Sequence, residues 1–264
     1  MIMKLGEDII LIHGDCLEEM KQIADKSVDA IICDLPYGVL NKGNNNAKWD
    51  SVIPFEDLWC IYNRIIKDNG AIILFGQGMF TASLMKSNPK MWRYNLIWDK
   101  IATTGFLNAN RMPLRSHEDI CIFYKSLPIY NPQMENTPPH KRNHSRGNLE
   151  NPLKNRCYGK FVEIPSAISD KKFPKSIIQI SKEHCTGKFF HPTQKPVALI
   201  EYLIKTYSNE GDLILDNTAG SMTTAIAAIN TNRKCICIEK NDEYFQVGER
   251  RVKKHLEGLQ LKIF

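Results

Sequence analysis

Val28-Asp29-Ala30-Ile31-Ile32-Cys33-Asp34-Leu35-Pro36-Tyr37-Gly38 joins a nearly unbroken apolar run to a carboxylate, a proline and an aromatic ring. Such a run reads as a strand buried on both faces, in the interior of a parallel sheet. In open α/β sheets ligands bind just outside the carboxyl ends of these strands, so Asp34 stands where chemistry is expected. Its carboxylate can accept a hydrogen bond from an exocyclic amine and the Leu35 carbonyl a second. Pro36 stiffens the turn, and Tyr37 offers a face on which a flat ring can stack. The same four residues also fit an ordinary strand-to-loop turn, where Asp and Pro are common.

Outward from this stretch, strand patterns recur over 9–12, 71–75, 95–98, 120–124, 213–215 and 234–238. Helical spacing of apolar residues appears over 17–24, 55–66, 79–87, 196–207, 223–230 and 242–256, with Gly70 and Gly211 as helix-end signals. Strand and helix alternate, which predicts an α/β protein with a doubly wound, mostly parallel sheet. Residues 127–190 break the rhythm. Prolines at 128, 132, 138, 139, 152, 165 and 174 and many polar residues mark this stretch as an insertion. Residues 1–126 and 191–264 are then two halves of one domain. A shorter irregular loop, 38–54, follows the Asp34 turn and reads as a flap over the site.

At 264 residues the chain has room for one large core, and 43% hydrophobic with 24% charged residues is the composition of a globular protein. No apolar run approaches the roughly 20 residues that span a bilayer. The acidic start, Met1-Ile2-Met3-Lys4-Leu5-Gly6-Glu7-Asp8, does not read as a secretory signal, so a cytoplasmic location is expected. Cysteines at 16, 33, 60, 121, 157, 185, 235 and 237 form no zinc-type pair, and Cys235 and Cys237 share one strand face as packing residues. No metal is expected. The net charge of +6 is uneven, because residues 125–195 carry 13 Lys and Arg against 5 acids. That is the footprint of a polyanion partner such as nucleic acid, or else a solvated lysine-rich loop.

A second site lies at Leu213-Ile214-Leu215-Asp216-Asn217-Thr218-Ala219-Gly220-Ser221-Met222-Thr223-Thr224: strand, acid, small-residue turn, helix start. Small residues let a backbone approach a ligand, and the helix start provides unpaired amides. The next strand ends in Glu239, placed as the acid that takes ribose hydroxyls. There is neither Gly-Lys-Ser/Thr nor G-x-G-x-x-G, so the expected ligand is a nucleoside without a pyrophosphate.

With these segments in hand, the chain resembles the amino-directed DNA methyltransferases of the β arrangement. Asp34-Leu35-Pro36-Tyr37 is similar to the family's D-P-P-Y, and His191-Pro192-Thr193-Gln194-Lys195-Pro196 to its H-x-T-x-K-P. Asp216 to Thr224 matches the D-P-F-x-G-S-G-T-T loop, and His13-Gly14-Asp15-Cys16 the strand end beside the cofactor adenine. The resemblance implies a Rossmann-like, seven-stranded sheet with the strand at 120–124 antiparallel, an inserted target-recognition region at 127–190, and S-adenosyl-L-methionine as cofactor. It implies Asp34, Leu35, Pro36 and Tyr37 as catalytic. The implied cofactor set is Asp15, Cys16, Asp34, Thr193, Lys195, Asp216, Asn217, Thr218, Ala219, Gly220, Ser221, Thr223, Glu239 and Lys240. In the insertion, Lys141, Arg142, Arg146, Lys154 and Arg156 are the expected DNA contacts. Adenine N6 in DNA is the preferred target and cytosine N4 the alternative. A catalytically silent DNA- or cofactor-binding protein and an RNA or protein methyltransferase stay open, as do a homodimer and a separate restriction endonuclease. Two departures stand out. Leu35 replaces a proline whose role belongs to a main-chain carbonyl, and Met222 replaces a glycine, where a positive φ would strain a methionine unless its side chain turns away from the pocket.

Overall fold

The computed structural model describes residues 1–39, 50–136, 170–182 and 194–261. It divides into two compact units, Met1–Asn131 with Ser176–Phe264, and Pro132–Lys175. In the smaller unit Glu135–Asn136 (β7) pairs antiparallel with Lys171–Lys172 (β8).

The larger unit is organised by one nine-stranded sheet. Its strands are Ile2–Leu5 (β1), Ile9–His13 (β2), Val28–Cys33 (β3), Ile66–Gly76 (β4), Trp92–Thr104 (β5), Arg115–Phe123 (β6), Ile177–Gln179 (β9), Leu213–Asp216 (β10) and Lys234–Glu239 (β11). They lie in the order β1-β2-β11-β10-β3-β4-β6-β5-β9. The seven strands from β2 to β5 are the arrangement expected from sequence. All run parallel except β6, which pairs antiparallel with both β4 and β5. Short strands extend it at both edges, β1 antiparallel to β2 and β9 parallel to β5. Ile177–Gln179, read with the insertion from sequence, thus pair with the main sheet.

β3 is buried at every position, as its apolar composition requires. Alternate side chains feed two cores. Ala30 and Ile32 face the layer of Val197–Tyr207 (α4), Thr223–Asn230 (α5) and Asp242–Gln260 (α6), through Leu203, Ile226 and Phe245. Val28, Ile31 and Cys33 face Phe55–Ile65 (α2) and Met79–Ser87 (α3) through Leu58, Tyr62 and Leu84. The expected helix over 17–24 is short. Its α-turns end within Cys16–Glu19 (α1) and tighten into a 3₁₀ turn over Met20–Gln22. Gly70 lies inside β4, not at a helix end. A Cβ there would sit 2.7 Å from the Asp29 carbonyl, so the close approach of two strand backbones requires the glycine. Among the described residues no helix is long and apolar enough to cross a membrane.

Candidate active site

The carboxyl ends of β2, β3, β4, β10 and β11 open into a cavity of about 660 Å³. Asp34, Leu35, Pro36 and Tyr37 line it, together with Asp15, Cys16, Lys195, Asp216 to Ser221, Thr223, Glu239 and Lys240. The two sites read from sequence are therefore one. The Thr218 hydroxyl donates to the Asp34 main-chain carbonyl at 3.1 Å, tying the small-residue loop to the Asp34 turn.

Asp34 is held by its neighbours on both oxygens. Tyr37 donates its hydroxyl to Oδ1 at 2.9 Å, and the Lys195 ammonium donates to Oδ2. Tyr37 stacks on Phe80, ring centroids 4.5 Å apart, which fixes the ring from behind. Lys195, 8% exposed, also pairs with Glu118 at 3.3 Å, and Glu118 pairs with Lys100, 4% exposed, at 2.5 Å. Two carboxylates and two ammonium groups alternate along this chain. Burial raises the Asp34 pKa, and the Glu118 charge adds to that, with Lys195 opposing both. Burial disfavours the charged form of Lys195, yet Asp34 and Glu118 outweigh it and raise its pKa. Burial likewise opposes ionised Glu118, but Lys195 and Lys100 hold its pKa down. Lys195, read with the cofactor set, lines the cavity and is at the same time a partner of Asp34. Glu118 and Lys100 belong to none of the sequence motifs that mark the site. The one signal for Glu118 is a carboxylate in the β6 sequence beside an apolar run, and Lys100, in β5, has none.

The loop after β10 has the form of a nucleoside cradle. Asp216 accepts from the Thr218 amide at 3.1 Å and from the Thr224 hydroxyl at 2.5 Å. Burial raises its pKa to about 7. Glu239 accepts from the amides of Gly220 at 2.8 Å and Asn241 at 2.7 Å. Each carboxylate oxygen has a second lone pair, so ribose hydroxyls can add to these bonds. Asp15 caps α1 through the Leu17 amide at 3.0 Å and meets Lys240 at 3.0 Å in an exposed pair. Asn217 accepts from Tyr62 at 2.5 Å and from the Cys33 thiol at 2.7 Å, while its buried amide nitrogen has no protein partner. Thr193, Lys141, Arg142, Arg146, Lys154 and Arg156 lie outside the described residues, as do residues 40–49 of the expected flap.

Since the native state keeps Asp216 protonated to about pH 7, it binds more protons there than the unfolded chain does. This group's contribution to stability therefore falls as pH rises from about 4 to about 7. Asp216→Asn removes that slope. Thermal melts of ligand-free protein should show the variant gaining on the parent chain from pH 4 to 7, and parallel curves would contradict the assignment.

Met222 adopts φ 61° and ψ 37°, the left-handed region, so the position does need the conformation a glycine takes freely. Its side chain is fully buried and does not line the cavity. It packs instead at Gly248 of α6, where a Cβ would come within 2.3 Å of Met222 Cγ. The methionine is accommodated by a glycine in the facing helix. Gly248→Ala should destabilise the chain by about 1–3 kcal/mol through overpacking, although alanine is the better helix former. Met222→Gly in the same chain should recover most of that loss in thermal melts. Equal melting of the single and double variants would contradict the pairing.

A family model described as DNA methylase matches residues 28–250. The chain is 28% identical to the DNA adenine methyltransferase YhdJ of Escherichia coli (strain K12), covering 92% of this chain and 82% of that protein. It is 26% identical to the type II methyltransferase M.HpaI of Haemophilus parainfluenzae, covering 94% and 75%. Its fold is similar to that of the M1.HpyAVI-SAM complex, with TM-score 0.62, 24% identity, and coverage of 92% of this chain and 98% of the other.

Proposed function

Because the chain belongs to the DNA methylase family, we propose that it transfers the methyl group of S-adenosyl-L-methionine to the N6 amine of an adenine swung out of DNA. The observation that carries this reading is the Thr218 hydrogen bond to the Asp34 carbonyl, which places the amine acceptors and the nucleoside cradle in one cavity. The name of one relative, the DNA adenine methyltransferase YhdJ, supports adenine over cytosine. Asp15, Cys16, Asp216, Asn217, Gly220 and Glu239 would hold the cofactor. When bound, it supplies an activated methyl group on a sulfonium, so neither a metal nor a cysteine nucleophile is called for.

Asp34 and the Leu35 carbonyl accept the two amine hydrogens, which draws the nitrogen toward tetrahedral geometry and turns its lone pair to the methyl donor. The rate comes from positioning and from fixed charge. Tyr37, backed by Phe80, presents its other face for stacking of the base. Lys195 opposes the burial that raises the Asp34 pKa and so favours the ionised carboxylate, which can take the proton that the methylated amine releases. Met222, which motivated the silent-binder alternative, leaves the cavity free. DNA contacts by Lys141, Arg142, Arg146, Lys154 and Arg156 belong to this proposal, as do residues 127–190 as the target-recognition region. So do a homodimer, a cytoplasmic location, and a separate endonuclease, the last supported by the type II name of one relative.

The test is transfer from methyl-labelled S-adenosyl-L-methionine to mixed-sequence DNA, followed by digestion to nucleosides and mass spectrometry. Label in N6-methyladenine is expected. Label in N4-methylcytosine would transfer the enzyme to the other branch, and unlabelled DNA would contradict the reading.

A further inference from the structure

The hairpin between β5 and β6 ends in an apolar tip that the protein leaves uncovered. Phe106 is 77% and Leu107 85% exposed, with Met112 and Leu114 exposed beside them. The tip is built, not loose. Gly105 turns it at φ 90°, Phe106–Asn108 form a 3₁₀ turn, and Asn108 and Ala109 donate amides back to Gly105 at 2.9 Å and Phe106 at 3.0 Å. Two further amides, of Arg111 and Met112, close on the Asn108 carbonyl at 2.8 and 3.0 Å.

Its root is part of the active-site wall. Arg115 and Glu118 line the cavity, and Arg115 donates to Gln77 Oε1 at 3.0 Å. Between Asp99 and Thr104 the ladder slips. At that bulge Ile101 is held at φ 63°, a conformation β-branched residues avoid, and its amide is fixed by Asp99 at 3.0 Å. The bulge turns Lys100 inward to Glu118 and sends the tip outward. Backbone strain of this kind persists where a site needs it. Residues 101–115 carry Arg111 and Arg115 and no carboxylate, and among the described residues neither arginine pairs with Glu118 or Asp119.

An exposed apolar pair on a rigid stalk, flanked by cations and rooted beside a pocket for an extruded base, fits one occupant. On the reading of the site as an adenine methyltransferase, we infer that Phe106 and Leu107 form a wedge that enters the DNA duplex beside the target adenine and occupies the space the base leaves. Arg111 meets the phosphates. Apolar wedges of this kind unstack base steps at a cost of a few kcal/mol, which contacts to the opened duplex offset.

The experiment compares the full chain with a Phe106→Ala/Leu107→Ala variant under single turnover. The substrates are a duplex containing an adenine that the parent chain methylates, and the same duplex with an abasic site opposite that adenine. Both positions are exposed, so the fold is expected to survive. The variant should lose about ten- to a hundredfold on the paired duplex and come within about threefold of the parent on the abasic one, where little unpairing energy is needed. Equal losses on both duplexes, or none on either, would overturn the wedge. A parent chain that methylates no DNA would overturn the methyltransferase reading itself, an outcome distinct from failure of the wedge.

Discussion

Asp34→Ala is expected to slow methyl transfer to adenine by about 10²–10³-fold, the usual effect of deleting one preorganised group from a polar site. Affinity for S-adenosyl-L-methionine should stay within a few fold, because Glu239, Asp216 and Asp15 are untouched. The fold should survive, since Lys195 keeps Glu118 as its partner at 3.3 Å. Asp34→Asn separates acceptor from charge. It preserves one carbonyl oxygen for the amine but cannot take the released proton, and so should lose less than the alanine variant. Single-turnover rates with cofactor titration check both. An unchanged rate in Asp34→Ala would remove this carboxylate from the reaction.

Lys195→Met is expected to have the largest effect on stability. It leaves Asp34 and Glu118 buried without the cation between them, and breaking a buried pair typically costs about 3–5 kcal/mol. The pH dependence follows from the same contacts. Lys195 is the main influence that lowers the Asp34 pKa against burial and Glu118. Without it the Asp34 pKa rises further, so the acid limb of the rate profile, which reports ionised Asp34, moves to higher pH. A carboxylate whose folded pKa exceeds its unfolded value loses stability as pH climbs between the two. The deficit of the variant therefore widens from acid to neutral pH. Other charged or titratable groups around Asp34 are Tyr37, Asp216 and Glu118, with Lys100 and Lys182 beyond, and all remain in the variant. Lys240→Met, which removes only an exposed pair with Asp15, should melt like the parent chain. Equal melting and an unmoved acid limb in Lys195→Met would contradict the buried ion chain.

The central strands were legible because burial on both faces writes an apolar run, as in Val28–Cys33, and the turn residues that follow carry the chemistry. Segments placed by sheet order were not. Glu118 and Lys195 lie far apart in sequence and meet only because β6 inserts between β4 and β5. The strand read over 71–75 is longer, since Lys67, Asp68 and Asn69 interrupt its apolar pattern although Ile66 already pairs with Val28. β1 and β9 are edge strands of 4 and 3 residues, too short to register a period. The fate of Met222 was invisible for another reason. The sequence raised both a strained backbone and a side chain turned away, and both hold, but Gly248, which makes room for that side chain, belongs to a different helix.

The most direct measurement is a structure of the chain bound to S-adenosyl-L-homocysteine and a duplex containing a methylated-site adenine in its unmodified form. The account predicts that adenine outside the stack on Tyr37, with N6 about 2.7–3.2 Å from the Asp34 carboxylate and from the Leu35 carbonyl. An adenine still stacked in the duplex, or a base whose amine faces away from Asp34, would contradict it.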